Sequence, residues 1–233
     1  MYNYSVEYTK NGETYGFKNL EVDENYFGKP LYDLAPAQVE DERAKLIKST
    51  NKVVLITSNL CACQYDKYVL FMRNAHLLGI ENVKLSFDAV KCATVEQIKE
   101  VIKIAAAFNI KVLFELMADS MDAFGFEKYA EVRSEATGLI FNPNEFVKLH
   151  KNPFLGVFYK TKYRDDVVIL RVRDMLYNSL KPMQVEKGNA EVKEIASILL
   201  CRSFKGYFSF GKYGDDISVE STIDAFTNAL CNM

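Results

Sequence analysis

Polar residues suited to acid–base or anion-binding chemistry stand at the ends of apolar runs in this chain. Glu115 and Asn142 close or directly follow two such runs, and Arg171 lies within a third, residues 166–173. A carboxylate accepts protons in general acid–base catalysis, whereas a guanidinium binds carboxylates and phosphates with its planar fork. These residue types therefore indicate either proton transfer or the binding of a small anionic molecule.

The alternation of side chains along a strand decides which of these residues share a face. In residues 166–173 every second residue from Val168 is apolar and suits contact with covering helices, so Arg171 and Arg173 point the other way. The same alternation turns one polar side chain inward from each of four other runs: Glu21, Lys84, Glu115 and Asn142. Because charged side chains are rarely buried without partners, we expect either a solvated mouth or half-buried ion pairs that only fix the strands.

Hydrophobic periodicity predicts the elements that position these residues. Predicted strands cover residues 4–8, 17–22, 53–57, 83–87, 112–115, 138–141, 166–173 and 207–210. Predicted helices lie near residues 39–49, 68–78, 95–106, 121–134, 192–201 and 219–230. Gly79 suits the end of the second helix, and Thr94 with Gln97 forms a capping-box pattern before the third. Residues 150–162 form a less regular connection.

Alternating strands and helices predict a parallel sheet, because parallel neighbours need a crossover connection. Eight strands favour a closed (β/α)8 TIM barrel of the α/β class, formed by residues 1–233 as a single domain. Its first strand–helix unit is short or incomplete. An open doubly wound sheet is the alternative, but the chain lacks the glycine-rich turn that is typical of dinucleotide-binding sheets.

Composition argues against several classes of partner. The formal net charge of -2 and the pI near 5.8 are unlike the basic excess of proteins that bind nucleic acids or anionic membrane surfaces. No apolar stretch reaches the roughly 20 residues that cross a bilayer. The first residues lack the basic and apolar regions of a signal peptide. We therefore expect a cytoplasmic protein with no nucleic-acid and no membrane partner.

The five cysteines are expected to be reduced and partly buried, since the number is odd and no secretion signal is present. Cys61 and Cys63 form the close pair. The chain has two histidines, His76 and His150, so a zinc site would have few partners. The sequence therefore predicts no redox or zinc chemistry, and we assign both histidines to structure.

The order of these strand ends resembles the xylose isomerase-like TIM barrels, the sugar-phosphate isomerase/epimerase family that also includes endonuclease IV-type enzymes. The resemblance covers about residues 17–230. Its motifs are the early strand that ends in a glutamate, the strand with the first metal-binding glutamate and the strand that normally ends in a ligand aspartate: residues 17–22, 112–115 and 138–143. Three later motifs are the His-x-x-Asp strand, the glycine-rich approach to the seventh helix and the last strand: residues 170–174, 187–192 and 206–211.

The resemblance also implies a metal-binding set of Glu, Asp, His and Glu, from which this chain departs. The matching positions hold Glu115, Asn142, Arg171 and Gly211, whereas Asp174 is kept. An arginine donates hydrogen bonds only and cannot coordinate a cation. It would also oppose a nearby divalent ion by several kcal/mol at an intermediate dielectric. We interpret the metal site as lost, and expect no metal and no other cofactor.

The resulting hypothesis is a divergent, metal-free barrel that binds a small polar, anionic metabolite such as a sugar phosphate or sugar acid. We assign catalytic positions to Glu115 and Arg171, and substrate-binding positions to Glu21, Lys84, Asn142, Arg173 and Asp174. One alternative is an active isomerase or epimerase of sugars or sugar phosphates, with proton transfer by Glu115. Another places a metal on other carboxylates, such as Glu21, Asp88 and Glu115. The edge of the incomplete first unit is compatible with a homo-oligomer.

Overall fold

Eight parallel strands form a closed barrel in the computed structural model, which describes residues 2–8, 14–122, 124–214 and 216–232. Around the barrel the strand order is β1-β10-β7-β6-β5-β4-β3-β2. Their bounds are β1 (Tyr4–Glu7), β2 (Asn19–Asp23), β3 (Lys52–Ser58), β4 (Asn82–Leu85), β5 (Lys111–Glu115), β6 (Thr137–Phe141), β7 (Val167–Arg171) and β10 (Tyr207–Phe210). Two further strands, β8 (Asp174–Met175) and β9 (Pro182–Met183), pair with each other in a short antiparallel ribbon. The predicted (β/α)8 barrel is confirmed.

Helices alternate with the barrel strands after β2. They are α1 (Pro36–Ser49), α2 (Tyr65–Leu77), α3 (Phe87–Lys91), α4 (Val95–Ala107), α5 (Phe126–Val132), α6 (Pro143–Lys148), α7 (Val192–Cys201) and α8 (Val219–Cys231). Between β1 and β2, residues 8 and 14–18 form turns and bends without a helix, as predicted for an incomplete first unit. Among the residues that the structure describes, no helix is both long and apolar enough to cross a membrane.

The chain divides into two compact units. We call Lys10–Phe114 with Ser120–Gly138 the N-terminal unit, and Met1–Thr9 with Glu115–Asp119 and Leu139–Met233 the C-terminal unit. The prediction of a single domain over residues 1–233 stays a prediction.

In the N-terminal unit, the outward-facing residues of the strands pack under helices. Phe114 of β5 stacks on Phe124 at 4.9 Å between ring centroids and meets Tyr129 of α5 edge-on at 6.0 Å. The buried Asn74 of α2 donates from Nδ2 to the carbonyl oxygens of Leu31 and Leu34, at 2.8 and 3.2 Å. That side chain joins the α2 helix to the 3-10 turn that precedes α1.

In the C-terminal unit, aromatic residues fill the layer between strands and helices. Phe208 and Phe210 of β10 pack on Phe226 of α8, with centroids 5.1 and 5.8 Å away. Phe141 of β6 packs on Phe146 of α6 at 5.1 Å. The alternate positions of β10 and β6 are thereby free to carry inward-facing polar residues.

The main error in the predicted strand boundaries is at the end of β4, where the short helix α3 begins. The strand predicted over residues 83–87 ends at Leu85, because the Ser86 hydroxyl accepts the Ala89 amide at 3.4 Å and caps the short helix α3. By contrast, Thr94 and Gln97 form the predicted capping box before α4.

Two further expectations differ from the structure. Strand β7 ends at Arg171, so Arg173 lies in the connection to β8 rather than in a barrel strand. The cysteines were expected to be partly buried, and this is wrong, because all five are free and exposed. Each of the five lies in a turn or at a helix end, where the backbone is near solvent.

Candidate functional site

Arg171 occupies the end of β7 and is 2% exposed. It is in register with Ser209 of β10, and its Nη1 donates to the Ser209 hydroxyl at 2.6 Å. Its Nε and Nη2 donate to Glu115 Oε1 and Oε2, both at 3.4 Å, so the planar fork meets the two oxygens of one carboxylate. The same Nη1 lies 3.1 Å from Glu7 Oε1. One buried cation is therefore shared between two carboxylates.

Glu115 ends β5 with its side chain 8% exposed. Besides the two bonds from Arg171, its Oε1 accepts the Asn142 side-chain amide at 3.0 Å. The structure thus brings together Glu115, Asn142 and Arg171, which the alternation of three separate runs turned to one face. These contacts compensate the cost of removing the Glu115 charge from water.

Glu7 is the residue of this cluster that the sequence analysis missed. It lies at the end of β1 and joins two arginines, since one oxygen faces Arg171 and the other accepts a close hydrogen bond from Arg173 Nη2. The signal was present in the sequence. In residues 4–7 the apolar Tyr4 and Val6 alternate with Ser5 and Glu7, the same pattern that was read in the other strands.

Gly211, which follows β10, makes room for Glu7. A Cβ atom at position 211 would collide with Glu7 Oε2, and would lie 2.9 Å from Glu7 Cδ and 3.2 Å from Arg173 Nη2. A side chain at this position would have to displace a carboxylate that is held by two arginines. The absence of a side chain at Gly211 is therefore linked to the presence of Glu7.

Arg173 keeps a hydrogen-bond donor that no described protein group uses. Its Nε is buried without a partner, while its Nη2 pairs with Glu7. Burial lowers the pKa of Arg173 to about 10, against an opposing effect of Tyr213, so the guanidinium is still charged at neutral pH.

Asn142 offers an unused acceptor. It is 3% exposed and precedes α6, and its Oδ1 is buried without a hydrogen bond in the described part of the chain. The Oδ1 atom of the nearby Asn144 is likewise buried without a hydrogen bond to the described residues. Most buried polar atoms have a hydrogen-bond partner, so these two oxygens and Arg173 Nε are exceptions among the described residues.

Asp174 has a different environment from the other predicted site residues. Its Oδ1 accepts the amides of Met175 and Ala190, both at 2.8 Å, and its Oδ2 accepts the amide of Gly188 at 2.9 Å. The side chain therefore anchors the loop before α7 to the β8 strand. Its predicted contact with a substrate stays a prediction.

Glu21 and Lys84 belong to the N-terminal unit, on β2 and β4. Glu21 is 5% exposed, and Lys84 is half-buried in register with Thr57 of β3 and Leu113 of β5. Both make further interactions within the protein. Their substrate-binding roles likewise stay predictions.

Metal-ligating residue types do not cluster in the described ranges. Within residues 2–8, 14–122, 124–214 and 216–232, no group of three or more His, Cys, Asp or Glu side chains is placed to hold a metal ion. In the C-terminal unit, Glu7 pairs with the guanidinium groups of Arg171 and Arg173, and Glu115 pairs with that of Arg171.

Comparison with known proteins gives matches to solved structures only. No protein-family model and no curated protein matches the chain. A xylose isomerase domain protein from Planctomyces limnophilus matches with a TM-score of 0.75 at 13% identity, over 100% of this chain and 99% of the other. A D-tagatose 3-epimerase-like protein matches with a TM-score of 0.71 at 14% identity, over 99% and 98% of the two chains. A xylose isomerase-like TIM barrel protein from Mycobacterium smegmatis, in complex with magnesium, matches with a TM-score of 0.68 at 14% identity, over 99% and 98%.

Proposed function

We propose that this chain, which has the xylose isomerase-like TIM-barrel fold, binds a small polar, anionic metabolite at the strand ends of its C-terminal unit without a divalent metal. The observation that carries this proposal is the position of Arg171, whose buried guanidinium contacts both Glu7 and Glu115. The protein itself supplies the cation that holds these two carboxylates together.

The donor set does not fit a divalent ion. Arg171 and Asn142 already donate to Glu115, and Arg171 and Arg173 already pair with Glu7. A metal ion would have to displace these donors and then lie beside a guanidinium that cannot coordinate it. At an intermediate dielectric, repulsion between the two cations costs several kcal/mol. We therefore assign no metal-dependent step to this site.

The unused hydrogen-bonding atoms indicate the class of ligand. Arg173 Nε can donate to an anionic oxygen, and Asn142 Oδ1 can accept from a hydroxyl. A sugar phosphate or sugar acid carries both groups. In this proposal Arg171 and Glu115 orient their neighbours, and Asp174 holds the loop before α7.

Binding accounts for these contacts better than catalysis by an isomerase or epimerase that uses Glu115 as its base. Glu115 accepts hydrogen bonds from Arg171 on both oxygens and from Asn142 on one. To remove a proton from a sugar, the carboxylate would first have to release part of this set. The arrangement instead holds the Glu115 carboxylate in one position.

Isothermal titration of the intact protein with sugar phosphates, sugar acids and the corresponding neutral sugars tests the proposal. We expect an anionic compound to bind, and we expect Arg173→Gln to weaken its affinity by about tenfold or more, the effect of losing one charge-assisted hydrogen bond. Arg202→Gln is the matched control, because that arginine forms an exposed ion pair with Asp165. Equal affinity for neutral and anionic compounds, or an unchanged affinity in Arg173→Gln, would contradict the proposed ligand class.

A further inference from the structure

Cys61 and Cys63 form a pair of exposed thiols between β3 and α2. Their Sγ atoms are 2.8 Å apart. The turn that holds them is closed by the Gln64 amide, which donates to the Cys61 carbonyl at 2.9 Å, and by the Gln64 side chain, which accepts the Cys61 amide at 3.2 Å. Helix α2 begins directly afterwards at Tyr65.

The surrounding residues hold both thiols on the outer side of this turn. Ala62 is fully buried between the two exposed cysteines, so its side chain fixes the turn against the protein. The buried Tyr68 hydroxyl donates to the Leu60 carbonyl at 2.8 Å and ties the preceding residue to α2. Two groups held at reacting distance combine much faster than two that must meet by diffusion.

The two thiols differ in acidity. The hydrogen bond between the two sulfur atoms lowers the pKa of Cys61 and raises the pKa of Cys63. The thiolate is the nucleophile in thiol–disulfide exchange. Cys61 is thus the better attacking group, and Cys63 is placed to react second.

We propose that Cys61 and Cys63 form a dithiol site that exchanges with small disulfides and closes to a disulfide within the chain. The Cys61 thiolate attacks one sulfur of the small disulfide, whose S–S bond breaks, and one thiolate leaves with the bonding electron pair. Cys63 then loses its proton to solvent and attacks Cys61 Sγ, which expels the second small thiolate. In balance, two protein thiols are oxidised and one small disulfide is reduced to two thiols.

The test uses the whole chain, oxidised glutathione and an assay of free thiols combined with intact-mass measurement. We expect the wild type to lose two of its five free thiols, with the mass decreasing by two hydrogens and no glutathione retained. Cys63→Ser should stop at the mixed disulfide and keep one glutathione on Cys61, which peptide mapping would locate. Cys61→Ser should react about tenfold more slowly, since the more acidic thiol is missing.

Cys92→Ser is the matched control, because Cys92 is another exposed cysteine, at the end of α3. This variant should still lose two thiols and retain no glutathione. Full retention of all thiols in the wild type, or stable glutathione adducts at Cys61 in the wild type, would overturn the proposal. The proposed sugar ligand does not enter this assay, so either proposal can fail alone.

Discussion

Arg171 reaches groups on three other strands of the barrel: Glu7 of β1, Glu115 of β5 and Ser209 of β10. The Arg171 guanidinium and the Glu115 carboxylate are both shielded from water, so each charge needs the other as a partner. Desolvation of one such charge costs several kcal/mol, and the partner charge returns most of it. Replacing one of these two charged residues should therefore lower the free energy of unfolding more than replacing both.

Replacing Arg171 by methionine should lower the free energy of unfolding by about 3–5 kcal/mol, because Glu115 is left buried without its cation. Adding Glu115→Gln to that chain should recover part of the loss, since the negative charge is then removed as well. Urea-induced unfolding of the wild type, the two single variants and the double variant measures the coupling.

Arg202→Met serves as the control, because its ion pair with Asp165 is exposed and should leave the unfolding midpoint nearly unchanged. A double variant no more stable than Arg171→Met alone would show that the buried charges are not coupled in this way.

The members of this cluster differ in how far the sequence could predict them. Alternation within an apolar run was enough for Glu115 and Arg171, because the residues that alternate with each of them are clearly apolar. Glu7 was missed because Val6 is the one aliphatic residue of its run, residues 4–8, and no recognisable helix follows in the sequence. The contact between Gly211 and Glu7 joins residues 204 positions apart, a closeness that arises only when β1 pairs with β10.

At the scale of elements, Asp174 links the β8–β9 ribbon to the loop before α7. Its carboxylate accepts three backbone amides, and Gly188 has no room for a side chain because a Cβ there would lie 2.6 Å from the Met175 carbonyl oxygen. A close approach of this kind requires glycine. The loop is therefore held by one side chain that is 1% exposed.

Asp174→Asn should change how stability depends on pH. Burial raises the pKa of Asp174 above its ordinary value of 3.8, against hydrogen bonds from the backbone of Ala190, Gly188 and Met175. Between 3.8 and the higher folded-state pKa, the folded protein binds more protons than the unfolded chain, so the free energy of unfolding falls as pH rises. The variant should lack this fall, as measured by urea unfolding from about pH 3 to 6.

Asp165→Asn is the control, because the pKa of Asp165 is shifted in the opposite direction to that of Asp174. The Arg202 hydrogen bond lowers the pKa of Asp165 below 3.8, so its contribution is present above that value and is lost as pH falls further. An Asp174→Asn profile parallel to that of the wild type would show that Asp174 does not titrate as its burial implies.

The predicted elements were accurate where local chemistry decides the structure. The Thr94 capping box places the start of α4 because its hydrogen bonds lie within four residues. The π-helical segment Pro153–Phe158 was not predicted, because six residues are too few for a hydrophobic period to be recognised. At its start the Asn152 side chain accepts the Leu155 amide at 2.9 Å, and the Glu191 carboxylate, distant in the sequence, accepts the Phe154 amide at 2.8 Å.

At the scale of the whole molecule, the fold is shared with proteins that are only 13–14% identical in sequence. A barrel of this type requires apolar outward faces on its strands, which many sequences satisfy. The polar residues at the strand ends are not needed for that packing and can differ between proteins of the same fold. The fold and the candidate functional site therefore depend on different residues.

Exhaustive treatment with a chelator should leave the Tm of the protein unchanged, and an excess of magnesium or manganese should not raise it. A ligand that binds the folded state raises the Tm through its binding free energy. Here the positive charge between Glu7 and Glu115 belongs to Arg171 and cannot be extracted. Thermal unfolding followed by circular dichroism checks this, and a lower Tm after chelation would contradict a metal-free site.

The shared space of Glu7 and Gly211 constrains the evolutionary paths open to this chain. Any mutation that puts a carboxylate at position 211 meets an acid already held by Arg171 and Arg173, so the two positions should show strong epistasis. In a variant that lacks both acids, Arg171 and Arg173 would lose the carboxylate that they share. We expect the histories of positions 7 and 211 to be correlated for this reason.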